Sequence, residues 1–248
     1  MNSHSKIFFA SDFHLGLKTG SPPAEREKRV IRWLNEIAPD AGEVYLLGDV
    51  FDFWWEYKLV VPRGFTRFLG TLSSMTDSGI KTHFFTGNHD MWVKNYLKDE
   101  CGLIIHTRPL TTDFSGKRFH LAHGEGLGNN DPGFKIMLKI FHNKPLRALY
   151  SSLHPCIGVG IGHSWSHSSR LGKGISLEYL GEEKEDLLKY ARQVAQKDHI
   201  DYFIFGHRHI AKQVRMKEGP QVIFLGDWIS NSSYAEWNGN DLIFRLFN

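Results

Sequence analysis

Long apolar runs are missing from this 248-residue chain. The longest, such as Tyr202-Phe203-Ile204-Phe205, have the size of a buried strand. A membrane-spanning helix needs about 18 apolar residues in succession, so none is expected. The N-terminus offers only the run Ile7 to Ala10 before Asp12 and His14, and does not read as a signal peptide. Cysteine is scarce as well. Cys101 and Cys156 are too few for a disulfide framework and lack metal-ligand spacing, which fits reduced thiols in a cytoplasmic protein. No sign of charge dominates: 30 basic residues face 27 acidic ones, a net charge of +3, so no nucleic-acid partner is expected. The 41% hydrophobic and 23% charged content excludes disordered, collagen-like and coiled-coil classes. The length fits one large domain, or one domain carrying an insertion.

What is abundant is histidine, with 14 residues, and aromatic residues, with 18 Phe, 8 Tyr and 7 Trp. Excess histidine suggests metal chemistry or a scatter of surface and core rings, and spacing has to decide. The first half alternates strand and helix patterns. Strands are expected at 6–11, 43–47 and 82–86, and helices over 25–37, over 65–75 and near 92–98. Further strands are expected at 103–107, 118–122, 202–205, 211–216, 222–225 and 242–247, with a helix at 186–197. Asn238-Gly239 fits a hairpin turn whose two central residues tolerate positive φ. The pattern predicts an α/β fold with two sheets face to face and helices outside.

A different character marks residues 128–178. They carry Lys135, Lys139, Lys144, Arg147, Arg170 and Lys173 against only Asp131 and Glu178. Apolar stripes run through Phe134, Met137, Leu138, Ile140, Phe141, Leu146, Leu149, Tyr150 and Leu153. Short helices are expected there, broken by Pro132, Pro145, Pro155 and the glycine-rich stretch Gly158, Gly160 and Gly162. We read 128–178 as an insertion over a core made of 1–127 and 179–248.

Five strand patterns end in metal-ligand residue types: Asp12-Phe13-His14, Gly48-Asp49-Val50-Phe51-Asp52, Gly87-Asn88-His89-Asp90, His123-Gly124-Glu125 and Gly206-His207-Arg208-His209. Sites in layered α/β folds gather at the carboxyl ends of strands. On an extended backbone, residues two apart point to one side, so Asp12 and His14 could reach one ion, and so could His207 and His209. Oxygen and imidazole donors without thiolate suit Mn, Fe or Zn and argue against a structural zinc site. Gly48, Gly87 and Gly206 permit sharp turns and close backbone approach.

The ordered set DxH, GDxxD, GNHD, HG and GHxH, spanning 12 to 209, resembles the calcineurin-like metallophosphoesterases. That resemblance implies a four-layer α/β/β/α sandwich holding two divalent metal ions, most often Mn. Asp12, His14, Asp49 and His209 would hold one ion; Asp49, Asn88, His123 and His207 the other, with Asp49 bridging. His89 would protonate the leaving group or stabilise the transition state, and Asp52 and Asp90 would orient ligands or His89. Attack by water on phosphorus is the implied reaction, without a covalent intermediate.

The stretches Gly48 to Trp55 (GDVFDFWW) and His123 to Asp131 (HGEGLGNND), with helices ahead of GHRH, are similar to the branch of that family that hydrolyses UDP-2,3-diacylglucosamine in lipid A synthesis. The branch implies a nucleotide-linked glycolipid substrate, UMP and 2,3-diacylglucosamine 1-phosphate as products, and a helical lid for acyl chains. It also implies work at the cytoplasmic face of the inner membrane. By position, Asn130, Asp131, Arg170 and Lys173 would grip the sugar phosphate. His89 stands where the better-known members carry arginine, which keeps a soluble nucleotide or another phosphodiester open as substrate. A third reading is a scaffold that has lost catalysis and binds protein partners, as the retromer subunit of this fold does; the intact ligand set and His89 oppose it.

Overall fold

The computed structural model describes residues 5–19, 21–128, 136, 138–141, 143–173, 178–217 and 219–248, with only the backbone of 167–173. Eleven strands and six helices are named here. The strands are β1 (Lys6–Ala10), β2 (Ala41–Leu47), β3 (Lys81–Phe85), β4 (Ile104–His106), β5 (Leu110–Phe114), β6 (Lys117–Ala122), β7 (Tyr202–Phe205), β8 (Ala211–Arg215), β9 (Gln221–Leu225), β10 (Ser233–Trp237) and β11 (Leu242–Leu246). The helices are α1 (Pro23–Ile37), α2 (Thr66–Asp77), α3 (Tyr96–Cys101), α4 (Lys144–Ser152), α5 (Pro155–Lys173) and α6 (Asp186–Ala195).

Two sheets result, ordered β11-β10-β1-β2-β3-β4 and β5-β6-β7-β9-β8. β1 to β4 run parallel, as do β6, β7 and β9. The period of two along each strand creates the layers. In β1, Phe8 and Ala10 face α1 and α2, whereas Phe9 faces the second sheet. β2 divides likewise, Val44 and Leu46 outward against Tyr45 and Leu47 inward. In the second sheet Ile204, Ile223 and Leu225 turn inward, while Phe203, Phe205, Val222 and Phe224 pack on Leu187, Leu188 and Ala191 of α6. Helix α1 reaches the first sheet through Val30, Trp33, Leu34 and Ile37, one apolar stripe. The order is therefore helix, sheet, sheet, helix, the expected α/β/β/α sandwich.

Several local expectations need correction. The helix near 92–98 starts only at Tyr96. Trp92 is held in a bridge with Trp55, and the Glu56 carboxylate accepts the Asn95 and Tyr96 N–H groups, fixing the start. β5 and β10 have no clear strand pattern in the sequence; β10 lies between β1 and β11 with Glu236 buried, a charge that breaks the apolar pattern but pairs with Arg245. At the β10–β11 turn only Gly239 has positive φ. Asn238 instead accepts the Asn240 and Asp241 N–H groups on its Oδ1, an Asx turn.

Within 128–178, Pro145 and Pro155 stand in the first turns of α4 and α5, where a missing N–H costs nothing. Gly158, Gly160 and Gly162 do not break α5; they lie inside it. Phe141 and Tyr150 are not exposed stripes either, since they pack with Phe53, Trp55, Trp92 and Trp165. Ile140, Leu146 and Leu149 do remain exposed. Pro132, Phe134, Met137, Asn130 and Asp131 lie outside the described residues, as do the side chains of Arg170 and Lys173.

Candidate metal centre

The five motifs follow β1, β2, β3, β6 and β7, and most of their side chains meet at the carboxyl ends of those strands. The backbone route differs from the extended one expected. Asp12, His14, Asp49, His207 and His209 all have positive φ, between 44° and 65°. Such a conformation costs a non-glycine residue about 1–3 kcal/mol and is typical of functional sites. The chain leaves β1, β2 and β7 by left-handed turns that swing the ligand types inward. Gly48, at φ 84°, makes the same turn, and a Cβ there would stand 2.5 Å from His123 Nδ1.

Three triads, buried except for the half-buried His207, bring donor atoms within 4.8 Å of one another: Asp12, His14 and His209; His14, Asp49 and His89; Asp49, His123 and His207. His209 Nε2 lies 3.4 Å and His14 Nε2 3.6 Å from Asp12 Oδ1. Asp49 Oδ2 lies 3.4 Å from His123 Nε2, 3.8 Å from His14 Nε2 and 4.0 Å from His89 Nε2. Asp49 thus belongs to two of the triads, and His14 links them to the third.

Each carboxylate has one oxygen held and one turned to the centre. Asp12 Oδ2 accepts from Ser11 Oγ at 2.6 Å and the His207 N–H at 2.9 Å, whereas Oδ1 has no hydrogen-bond partner among the described residues. Asp49 Oδ1 accepts the His89 N–H at 2.9 Å, leaving Oδ2 among the imidazoles. The buried atoms Asn88 Oδ1 and His123 Nε2 likewise lack hydrogen bonds among the described residues. His123 is fixed by its other nitrogen, since Nδ1–H donates to the Leu47 carbonyl at 2.7 Å. Orphaned buried acceptors converging in this way are costly without a cation, and oxygen and imidazole donors suit divalent ions. Burial pushes the Asp12 carboxyl up to about 6. Burial also acts to raise Asp49, but His123 and His89 outweigh it and hold that carboxyl well below the usual range.

A family model described as calcineurin-like phosphoesterase matches residues 5–211. The chain belongs to the calcineurin-like phosphoesterase family. A protein of Porphyromonas gingivalis named UDP-2,3-diacylglucosamine hydrolase is 40% identical, over 96% of each chain. Proteins of the same name from Nitrosococcus oceani and Histophilus somni are 33% and 27% identical. The first match covers 89% of this chain and 86% of the relative, the second 96% and 99%.

Around this candidate centre, further contacts fix the donors. Asp90 ties the third motif to the second: Oδ2 accepts the Val50 and Phe51 N–H groups and Oδ1 that of Gly87. Burial, then the neighbouring Asp49, push its carboxyl up to about 7. Asp52 reaches His89 through its backbone, the carbonyl accepting from His89 Nδ1 at 3.0 Å. Buried Arg26 clamps the loop after β1, donating to the carbonyls of His14 and Leu17.

Asp227 lies outside the five motifs. Its Oδ2 accepts from His209 Nδ1 at 3.1 Å, while Oδ1 accepts the Ile229 and Ser230 N–H groups. A carboxylate behind a histidine orients the ring and presents Nε2 to the ion. The signal was present: Gly226-Asp227 follows β9 just as Gly48-Asp49 follows β2.

Proposed function

We propose that this chain hydrolyses the pyrophosphate of UDP-2,3-diacylglucosamine to UMP and 2,3-diacylglucosamine 1-phosphate at a centre for two divalent ions. The observation that carries the reading is the run of three donor triads: Asp12, His14 and His209 at one end, Asp49, His123 and His207 at the other, and His14 and Asp49 together in the one between. The length and identity of the match to relatives of that name support the choice of substrate. Asp12, His14, Asp49 and His209 hold one ion; Asp49, Asn88, His123 and His207 hold the other. Manganese is the proposed metal, with iron or zinc as alternatives that suit the same donors.

Bound ions of this kind supply Lewis acidity and a nucleophilic water near neutral pH. The protein supplies position. Because His89 Nδ1–H donates to the Asp52 carbonyl, Nε2 is the nitrogen presented to the centre. A protonated His89 then offers an N–H to the departing oxygen or the phosphoryl group.

Residues 128–178 form a lid over the core of 1–127 and 179–248. Its aromatic seat and exposed apolar residues provide surface for acyl chains. Asn130, Asp131, Arg170 and Lys173 are proposed to grip the sugar phosphate. No helix among the described residues is long and apolar enough to cross a membrane. We place the enzyme at the cytoplasmic face of the inner membrane, where a diacylated substrate resides.

Purified protein incubated with Mn and UDP-2,3-diacylglucosamine is expected to release UMP. Hydrolysis of soluble phosphodiesters without UMP release would favour the second reading, a phosphoesterase of soluble nucleotides, which His89 in place of arginine supports.

A further inference from the structure

Helix α5 touches the metal centre through one stripe. Gly158, Gly162 and Ser166 recur at four-residue intervals and so share a face. A Cβ on Gly158 would run into the Tyr57 hydroxyl, and one on Gly162 into the Phe53 ring. The helix therefore lies directly on the segment that follows the GDxxD motif. At the end of the stripe, fully buried Ser166 donates through Oγ to Asp52 Oδ1 at 2.8 Å. His163 Nδ1 stands 3.5 Å from the other oxygen, Asp52 Oδ2. Both carboxylate oxygens of Asp52 thus face α5, while its carbonyl accepts from the catalytic imidazole of His89. Trp165, beside Ser166, brings its ring centroid to 5.7 Å from that of His89.

We infer that α5 sets the catalytic ring as well as covering the site, with Ser166 as a positioning residue that acts on His89 through Asp52. The inference rests on the proposed role of His89. Ser166 and His163 hold the Asp52 side chain, the side chain fixes the peptide, and the carbonyl fixes the imidazole plane and tautomer. A ring released from this chain samples orientations in which Nε2 points away from the phosphoryl group, and catalysis falls without loss of binding.

The test compares Ser166→Ala and Ser166→Thr with the wild type, all zinc-loaded. Two substrates are used: UDP-2,3-diacylglucosamine and bis(p-nitrophenyl) phosphate, which has no acyl chain. Ser166→Ala is expected to lower kcat roughly tenfold or more on both, with KM within about twofold and with Tm and bound zinc unchanged. Ser166→Thr is expected to restore the rate. Imidazole nitrogen NMR is expected to show one sharp set of His89 ring signals with Nδ1 protonated in the wild type and a broadened or mixed set in Ser166→Ala. An unchanged His89 spectrum overturns the inference. So does a rise in KM confined to the diacylated substrate, which would make Ser166 a substrate contact. Parallel loss of Tm and zinc would make it a folding residue. Should the wild type hydrolyse neither substrate, the proposed function fails, and the His89 spectrum alone decides the positioning role.

Discussion

Asp49 stands where two donor triads meet, with Oδ1 held by the His89 N–H and Oδ2 open to three imidazoles. Asp49→Ala is therefore expected to abolish hydrolysis and to remove both ions, read by elemental analysis after dialysis. Near-normal turnover would contradict the bridging assignment. Asp227 acts one bond further out. Asp227→Asn keeps the shape but weakens the acceptor behind His209, so metal affinity is expected to fall about 10- to 100-fold with little change in Tm. His120 belongs to the core, its ring between Thr111 Oγ1 and the Tyr190 hydroxyl. Burial pushes its pKa down to about 4. Between pH 4 and the ordinary histidine value near 6.5, the unfolded chain binds the extra proton, so stability falls as pH drops through that window. His120→Gln is expected to recover roughly 1–2 kcal/mol of the loss between pH 7 and pH 5 in urea melts. Equal pH dependence in the two proteins would show that His120 titrates normally.

Phe141 and helix α4 separate two roles that sequence alone merged. Phe141 and Leu149 both read as exposed apolar stripe. In the fold, Phe141 stacks edge-on against Trp92 and Trp165, whereas Leu149 is 65% exposed. Leu149→Glu is expected to leave stability within about 0.5 kcal/mol and to raise KM for the diacylated substrate only. Phe141→Asp is expected to cost roughly 2–4 kcal/mol in denaturant melts and to affect every substrate. The reverse pattern would move the acyl surface inward. Strands and helices with a clean period, such as β2 and α1, were legible because alternation and the 3.6-residue stripe are local. β10 was not, since its buried Glu236 becomes tolerable beside Arg245 and Lys6. The glycines of α5 read as a break because glycine lowers helix propensity, yet contact with Tyr57 calls for Gly158 and contact with Phe53 for Gly162, while a Cβ on Gly160 would meet nothing. The ligand types were legible as a repeated strand-end pattern. Their left-handed turns and the support from Asp227 and Ser166 depend on residues far away in sequence.

At the scale of the whole molecule, the two sheets serve one purpose. β1, β2 and β3 of the first, and β6 and β7 of the second, bring their carboxyl ends to a common edge. Packing of the apolar layer between the sheets, through Phe9, Tyr45, Phe119 and Ile204, holds those ends in register. The centre is thus a property of the sandwich, and no single sheet contains its full donor set. Anomalous X-ray diffraction from manganese-soaked crystals tests this most directly. Two peaks about 4 Å apart are expected, flanking Asp49 Oδ2, one beside Asp12, His14 and His209 and the other beside Asn88, His123 and His207. A single peak, or peaks away from Asp49, would contradict a two-ion centre.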